Sequence, residues 1–245
     1  MLPQAARASR AILITRPEPG AAETARALSA LGWHPILAPA LSLAALPFKP
    51  PSGCQALILT SRAAARALPP AALPVIAVGE ATAAEARARG FPDVEAAAGD
   101  AAALAALIGA TRRPEAGALC LAVGEGYALD LAEALRARGF RVIRRVVYAA
   151  RPSTELPKEA RQAIREGRVH AALFTSPRLA EEAMRLLSDA GLQKAAHNII
   201  AIALSPRIAA TLDALPWAEI RTAARPDHAA LLACLGRADV LGCTP

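Results

Sequence analysis

Residues 56–61 are Ala56-Leu57-Ile58-Leu59-Thr60-Ser61, and the pattern returns as Ala171-Ala172-Leu173-Phe174-Thr175-Ser176. Each stretch is a short apolar run that ends in two hydroxyl residues, and an amphipathic segment rich in Ala, Leu and Arg follows it. Apolar strands that alternate with helices are typical of parallel sheets covered on both faces. The sequence therefore predicts an α/β fold built on parallel sheets.

Two further segments repeat in the same way. Residues 24–33 resemble residues 131–140, and residues 75–107 resemble residues 199–235 more loosely. The repeats place one strand–helix–strand unit at the start of the chain and its remaining strands after residue 170. A complete set of strands lies between, so the sequence predicts two lobes, the first discontinuous and the second inserted into it.

The lobe limits follow from these repeats and from a proline-rich segment. Pro47, Pro50 and Pro51 favour an extended, hinge-like connection. The predicted organisation is a first lobe at residues 1–38 and 155–236, a second lobe at residues 53–145, linkers at residues 39–52 and 146–154, and a C-terminal tail at residues 237–245. Met1–Arg10 is predicted to be a loose N-terminal tail.

Composition and charge narrow the classes of function. Hydrophobic residues make up 54% of the 245 residues, enough for a substantial core, and the formal net charge is +7. A basic surplus fits nucleic acid, an acidic membrane surface or an anionic small ligand. Basic runs no longer than Arg144-Arg145, with no interleaved aromatic residues, argue against a nucleic-acid groove. The net charge fits an anionic small ligand without requiring one.

The cysteines and the apolar runs indicate the cellular compartment of the protein. Cys54, Cys120, Cys234 and Cys243 form no CxxC pair and no cluster with histidine, which argues against a zinc site and a disulfide framework. The chain shows neither a signal-peptide pattern nor an apolar run long enough to span a membrane. We therefore expect a soluble cytoplasmic protein with no membrane contact.

Several short motifs lie at the ends of the predicted strands and at the turns that follow them. They are Leu13-Ile14-Thr15-Arg16-Pro17, Leu59-Thr60-Ser61, Val78-Gly79-Glu80-Ala81-Thr82-Ala83, Val146-Val147-Tyr148, Leu173-Phe174-Thr175-Ser176-Pro177, and Ala224-Arg225-Pro226-Asp227. In their order and spacing these motifs resemble those of bacterial uroporphyrinogen-III synthases, and the resemblance runs from about residue 11 to residue 236.

The resemblance implies both a fold and a reaction. The fold would be two flavodoxin-like parallel-sheet lobes joined by a two-stranded linker, with the substrate in the cleft between them. The reaction would be the cofactor-free cyclisation of hydroxymethylbilane to uroporphyrinogen III, with inversion of ring D and loss of water, in heme biosynthesis. We expect a monomeric lyase without a metal, and a transient contact with hydroxymethylbilane synthase.

Candidate ligands for the eight substrate carboxylates lie at predicted strand-to-helix turns, where helix N-termini present N–H groups. Arg16, directly after the first strand, can hold a carboxylate through two hydrogen bonds. The other candidates are Thr60, Ser61, Gly79, Thr82, Ser176 and Ser205. For the hydroxyl residues a capping role alone remains open, and Ser176-Pro177 and Ser205-Pro206 both have the pattern of a helix cap.

Tyr148 is the candidate catalytic residue by resemblance to the family. A phenol keeps its proton at neutral pH and can donate it to a departing hydroxyl. A packing role for Tyr148 remains the alternative, and Tyr127 is predicted to be structural. The turn Ser205-Pro206-Arg207-Ile208-Ala209 departs from the Gly-Pro-Thr-Thr-Ala type of many relatives, which changes the expected contacts there.

Two other classes of function compete with this interpretation. A non-catalytic bilobed protein that binds or senses a small anion would share the cleft and the hinge without turning over a substrate. A flavodoxin-type redox protein would need a phosphate loop rich in Ser and Thr and aromatic residues around a flavin ring, and the sequence offers neither.

Overall fold

The structure is a computed structural model, and it describes residues 11–125 and 128–236. The described chain divides into two compact units: unit 1 comprises residues 11–42 and 151–236, and unit 2 comprises residues 43–150. The two predicted tails, Met1–Arg10 and residues 237–245, lie outside the described residues. The same holds for Tyr127, which the sequence predicts to be structural.

Strands and helices alternate along most of the described chain. The strands are β1 (Ala11–Ile14), β2 (His34–Leu37), β3 (Leu41–Ala45), β4 (Cys54–Leu59), β5 (Val75–Ala77), β6 (Val94–Ala96), β7 (Ala118–Gly124), β8 (Val142–Pro152), β9 (Val169–Phe174), β10 (Ile200–Ala203) and β11 (Glu219–Thr222). The α-helices are α1 (Gly20–Ala30), α2 (Arg62–Ala67), α3 (Glu80–Ala88), α4 (Ala101–Thr111), α5 (Leu129–Ala137), α6 (Lys158–Arg165), α7 (Pro177–Asp189), α8 (Pro206–Leu212) and α9 (His228–Ala233). Short 3₁₀ helices cover Pro114–Ala116 and Gln193–Asn198.

Unit 1 is built on a five-stranded parallel sheet with the order β11-β10-β9-β1-β2. Counted along the chain, this is the 2-1-3-4-5 order of flavodoxin-like folds. Pro35 lies in β2 at the edge of the sheet, where a missing N–H does not break a ladder on both sides. The sheet is thus assembled from both ends of the chain, which confirms the predicted discontinuous lobe.

Unit 2 contains a sheet with the order β3-β8-β7-β4-β5-β6, in which the strands from β8 to β6 pair in parallel. When β9 is matched with β4, as the sequence repeats indicate, the order β11-β10-β9-β1-β2 corresponds to β6-β5-β4-β7-β8. The strands of the two units therefore have the same spatial order, and the order of unit 1 along the chain is a circular permutation of that of unit 2.

The apolar strands reflect cores on both faces of the sheet. Successive side chains of a strand point to opposite faces, so Ile58 enters one core while Leu57 and Leu59 enter the other. Leu104 of α4 and Leu135 of α5 pack in the first core, and helices α2 and α3 contribute to the second. A strand buried on both sides has no polar face to show, and this is why its sequence lacks alternation.

The segment between the first lobe and β4 was predicted as a linker, and the family resemblance implied that the two linkers form two strands. Residues 39–52 contain β3, which borders β8 at the edge of the six-stranded sheet, and Leu41 is buried. A strand at this place depends on pairing with a partner about a hundred residues away, as the bond from the Leu46 N–H to the Val147 carbonyl illustrates. Periodicity within a short window cannot reveal such a pairing.

Among the described helices, none is both long and apolar enough to cross a membrane.

Candidate active site

The strand orders mark one place in each sheet where ligands of α/β proteins collect. In open parallel sheets this place is the carboxyl edge at the point where the chain reverses its direction of strand addition. In unit 2 the reversal falls between β4 and β7, and in unit 1 it falls between β1 and β9. The candidate residues Thr60 and Ser61 follow β4 directly, and Arg16 follows β1 closely.

Tyr148 lies on β8, beside the carboxyl end of β7. It pairs with Gly124, the last residue of β7, and its half-buried ring packs against the core that contains Leu57 and Leu59. Its hydroxyl oxygen is 3.5 Å from the Ser61 Oγ, beyond the length of a full O–H···O hydrogen bond. The ring is thus anchored in the core while the hydroxyl stands beside the β4–α2 turn.

Ser61 has a structural role that is independent of any ligand. Its Oγ accepts a hydrogen bond from the Ala64 N–H at 3.1 Å and caps α2, with an extended backbone at φ −159°. The hydroxyl proton is not used in this bond, so it stays available to a second acceptor. The structure therefore brings Ser61 and Tyr148 together, with Thr60 as the immediate neighbour of Ser61.

The turn after β5 comes close to the turn after β6. A Cβ at Gly79 would lie 3.1 Å from the Gly99 Cα, and Gly99 itself has φ +111°. The Gly99 N–H also donates to the Val78 carbonyl at 2.8 Å. Glycine at both positions lets the two backbones approach, and this contact helps to form one side of a cavity.

The cavity of about 480 Å³ lies within unit 2 at this edge of the sheet. Thr60, Val78 and Gly99 line it, together with residues at the starts of α4 and α5. Two carboxylates, Asp100 and Asp130, belong to the lining, and none of the described lining residues is cationic. Such a wall repels carboxylate groups and accepts apolar or hydrogen-bond-donating ones.

Thr82 occupies a less open position than the sequence suggested. Its side chain is only 5% exposed, it does not line the cavity, and its N–H donates to the Gly79 carbonyl at 3.0 Å. Gly79 presents its backbone at the turn before α3. Of these two candidates, Gly79 is the more accessible to a ligand.

In unit 1, Arg16 lies at the carboxyl end of the sheet. Its guanidinium occupies the space where a side chain at Gly20 would be, since a Cβ there would overlap it. Among the described residues, no carboxylate forms an ion pair with Arg16. A cation in this condition is suited to an anionic ligand.

Ser176 and Ser205 follow the neighbouring strands β9 and β10, and the structure distinguishes their roles. The Ser176 Oγ accepts from the Leu179 N–H at 3.2 Å and caps α7, as predicted. Ser205 makes no side-chain cap bond at the start of α8, so the predicted cap is wrong there. The Ser-Pro pattern fixes where a helix begins but does not fix the side-chain rotamer of the serine.

Neither Cys120, the most buried thiol among the described residues, nor His170 is a better candidate for a proton donor than Tyr148. Burial raises the pKa of Cys120 to about 12, and Cys54 beside it adds to the shift. His170 lies near the amino end of β9, stacked on Trp33 with ring centroids 5.2 Å apart, and burial lowers its pKa. His170 is thus at the opposite end of its sheet from Arg16.

Two features of this region were not found by sequence reasoning. Gly124 lies against the Tyr148 ring, and nothing in the local sequence distinguished it from the other glycines. Asp100 is not among the predicted site residues; it caps α4 by accepting a 2.7 Å bond from the Ala103 N–H. Its place in the cavity wall depends on how α4 and α5 pack, which a sequence pattern does not report.

The chain matches one protein family by sequence and several solved structures by fold. The family model described as Uroporphyrinogen-III synthase HemD matches residues 22–233. A uroporphyrinogen-III synthetase structure from Helicobacter pylori 26695 is 18% identical with a TM-score of 0.55, and the match covers 92% of this chain and 98% of that one. A mutant uroporphyrinogen III synthase from the extremely thermophilic bacterium Thermus thermophilus is 19% identical with a TM-score of 0.44, over 94% and 99% of the two chains. No curated protein sequence matches the chain.

Proposed function

Because the chain belongs to the uroporphyrinogen-III synthase family, we propose that it cyclises hydroxymethylbilane to uroporphyrinogen III, with inversion of ring D and loss of water. The observation that carries the proposal at the level of the site is the placement of Tyr148. Its hydroxyl stands 3.5 Å from the Ser61 Oγ at the carboxyl edge of unit 2. A protonated donor held at such an edge is what the first step requires.

Tyr148 acts as the general acid in this proposal. The C–O bond of the hydroxymethyl group breaks, its electron pair leaves with the oxygen, and the phenolic proton completes a molecule of water. The adjacent pyrrole nitrogen supplies electrons and keeps its proton, so the substrate becomes an azafulvenium cation. Ring D then attacks, and a spiro intermediate rearranges before the macrocycle closes. Tyr148 regains its proton after the final deprotonation.

Most of the rate enhancement is assigned to orientation. The substrate closes without help to the uninverted isomer, so the protein must favour one reactive conformation over another. We propose Arg16, Ser176 and Ser205 of unit 1 and Ser61 and Gly79 of unit 2 as carboxylate ligands. Thr60 lines the cavity and contacts the substrate there, and Thr82 supports the α3 turn from its buried position.

The cavity in unit 2 suits the uncharged part of the substrate better than its carboxylates. Asp100 and Asp130 repel carboxylates, so we assign the cavity to the uncharged pyrrole part of the substrate. Pyrrole N–H groups can donate to these carboxylates, and Val78 and Leu104 supply apolar contact. The substrate carboxylates are left to the hydroxyls and to Arg16.

The remaining features of the proposal concern class and setting. We propose a cofactor-independent lyase that works as a cytoplasmic monomer and contacts hydroxymethylbilane synthase transiently. The lobe limits at residues 1–38 with 155–236 and 53–145, and the linkers at residues 39–52 and 146–154, remain predictions.

The test compares the wild type with Tyr148→Phe, using hydroxymethylbilane made in the assay and a chelator present throughout. The wild type should consume substrate faster than the spontaneous reaction without added metal or nucleotide. Tyr148→Phe should lower kcat by roughly 10²-fold or more while leaving folding intact. Binding of the substrate with no acceleration in the wild type would instead support the non-catalytic binding protein. A loss of only a few-fold in Tyr148→Phe would remove Tyr148 from the role of general acid.

A further inference from the structure

The space that the Tyr148 ring fills exists only because residue 124 has no side chain. Gly124 is buried at the end of β7 and pairs with Tyr148 across the ladder. A Cβ built on Gly124 would lie 2.6 Å from the Tyr148 Cζ, 2.7 Å from its hydroxyl oxygen and 2.8 Å from Cε2. Ordinary van der Waals contacts of a Cβ lie at 3.4–4 Å, so the ring and a methyl group cannot share this place.

The strand pairing also changes at this point. The register runs from Val123 opposite Val146 to Gly124 opposite Tyr148, so Val147 has no partner of its own on β7. Val147 and Tyr148 both contact the same apolar core although they are consecutive in the chain. An extra residue of this kind re-aims the side chain that follows it, and such bulges recur beside active sites.

We propose that Gly124 is a positioning residue for Tyr148. Its missing side chain, together with the irregular pairing at Val147, fixes the ring so that the hydroxyl stands beside Ser61. The position of the hydroxyl then sets the efficiency of proton donation. This inference rests on the proposed role of Tyr148 as general acid, and Gly124 acts only through the position of the Tyr148 ring.

The first variant is Gly124→Ala. To restore ordinary contact the ring must move by roughly 1 Å, and a misplacement of that size can lower a rate by about 10²-fold. We expect kcat to fall roughly 10- to 100-fold while KM stays within about twofold, because the carboxylate ligands are untouched. An unchanged kcat in folded Gly124→Ala would overturn the inference.

The matched control is Gly109→Ala. Gly109 is an exposed glycine of α4 in the same unit, and a Cβ there meets no atom within 4 Å. The same chemical change should leave kcat as in the wild type. A loss of kcat equal to that of Gly124→Ala would show a general effect of the added methyl group and would overturn the inference.

A second measurement, an NMR signal, reports the position of the Tyr148 ring independently of catalysis. The chain has only two tyrosines, so ¹³C labelling of the tyrosine ring gives two signals, and Tyr148→Phe identifies the one from Tyr148. That signal should shift in Gly124→Ala and stay in place in Gly109→Ala. A Tyr148 signal that is the same in both variants would mean that the methyl group does not displace the ring.

A double-mutant cycle separates positioning from simple damage to the fold. In the Tyr148→Phe background there is no hydroxyl to misplace, so Gly124→Ala should lower kcat no further. An equal loss in both backgrounds would overturn the inference. If Gly124→Ala folds poorly, the Gly124→Ala/Tyr148→Ala pair should restore the fold by removing the overlapping ring, and failure to do so would mean that the ring is not what the methyl group meets.

The same cycle distinguishes the two levels of the account. A strong loss in Tyr148→Phe with wild-type kcat in Gly124→Ala removes only the inference about Gly124. A wild-type kcat in Tyr148→Phe removes the general acid and the inference with it, while the family reaction itself can still stand.

Discussion

Ser176 and Ser205 offer a direct separation of capping from substrate binding. Both precede a proline that begins a helix, but only the Ser176 hydroxyl accepts a bond from its helix, 3.2 Å from the Leu179 N–H. Loss of a serine cap costs about 1 kcal/mol of unfolding free energy, within a range of about 0.5–2. Ser176→Ala should therefore destabilise the protein by that amount, and Ser205→Ala should stay within about 0.5 kcal/mol of the wild type.

The expected effects on substrate binding differ from the effects on stability. A hydroxyl that donates to a carboxylate contributes about 1.5–3 kcal/mol, and about 1.4 kcal/mol corresponds to tenfold in affinity. If Ser205 binds a substrate carboxylate, Ser205→Ala should raise KM about tenfold or more with no loss of stability. Ser176→Ala should raise KM in addition to its cost in stability only if its hydroxyl serves both purposes.

The assay combines urea unfolding with steady-state kinetics on the two variants. Reaction temperature is kept well below the unfolding transition, so that a less stable variant is still fully folded when KM is measured. A wild-type KM in Ser205→Ala would remove Ser205 from the carboxylate ligands. A loss of stability in Ser205→Ala as large as that in Ser176→Ala would refute the structural distinction between the two serines.

Charge and burial lead to three further predictions. Burial lowers the pKa of His170 below its ordinary value of 6.5, and the nearby Arg221 adds to the shift, so below about pH 6.5 the unfolded chain binds a proton that the folded chain does not. The free energy of unfolding should therefore fall as the pH drops below about 6.5, and it should fall less in His170→Phe. Equal pH profiles of the wild type and His170→Phe would contradict this. Burial raises the pKa of the Cys120 thiol to about 12, so a disulfide reagent at about pH 8 should leave Cys120 unmodified until the protein unfolds, as mass mapping of the labelled peptides can check. Arg16→Ala should raise KM and reduce its dependence on salt, because one cation that attracts the polyanionic substrate is gone, and an unchanged salt dependence would count against Arg16 as a ligand.

Much of the fold could be predicted because its information is local and repeated. The apolar run at Ala56–Leu59 and its repeat at Ala171–Phe174 lie inside β4 and β9, and the repeats placed these strands in equivalent positions. A strand in the region of β3 was implied only by the family resemblance and not by local periodicity, because an edge strand depends on its partner rather than on its own pattern. The repeats predicted correctly those strands that are buried on both faces, because such strands must be apolar throughout.

The places of the candidate residues at strand ends could be predicted, but their contacts could not. Ser61 and Tyr148 were both candidates, and their 3.5 Å separation depends on the β7–β8 register. Gly124 carried no signal, because one glycine among many becomes informative only when its neighbour is known. The cap at Ser205 failed for a related reason, since a rotamer is decided by surroundings that the sequence does not show.

The measurement that tests the central claim most directly is the isomer ratio of the cyclised product. Hydroxymethylbilane is generated in the presence of increasing amounts of the purified chain, the products are oxidised to porphyrins, and the type I and type III isomers are separated by chromatography. The account predicts that the type III fraction rises towards completion as the chain is added, with no metal or nucleotide supplied. A product that remains the type I isomer at every concentration of folded protein would contradict it.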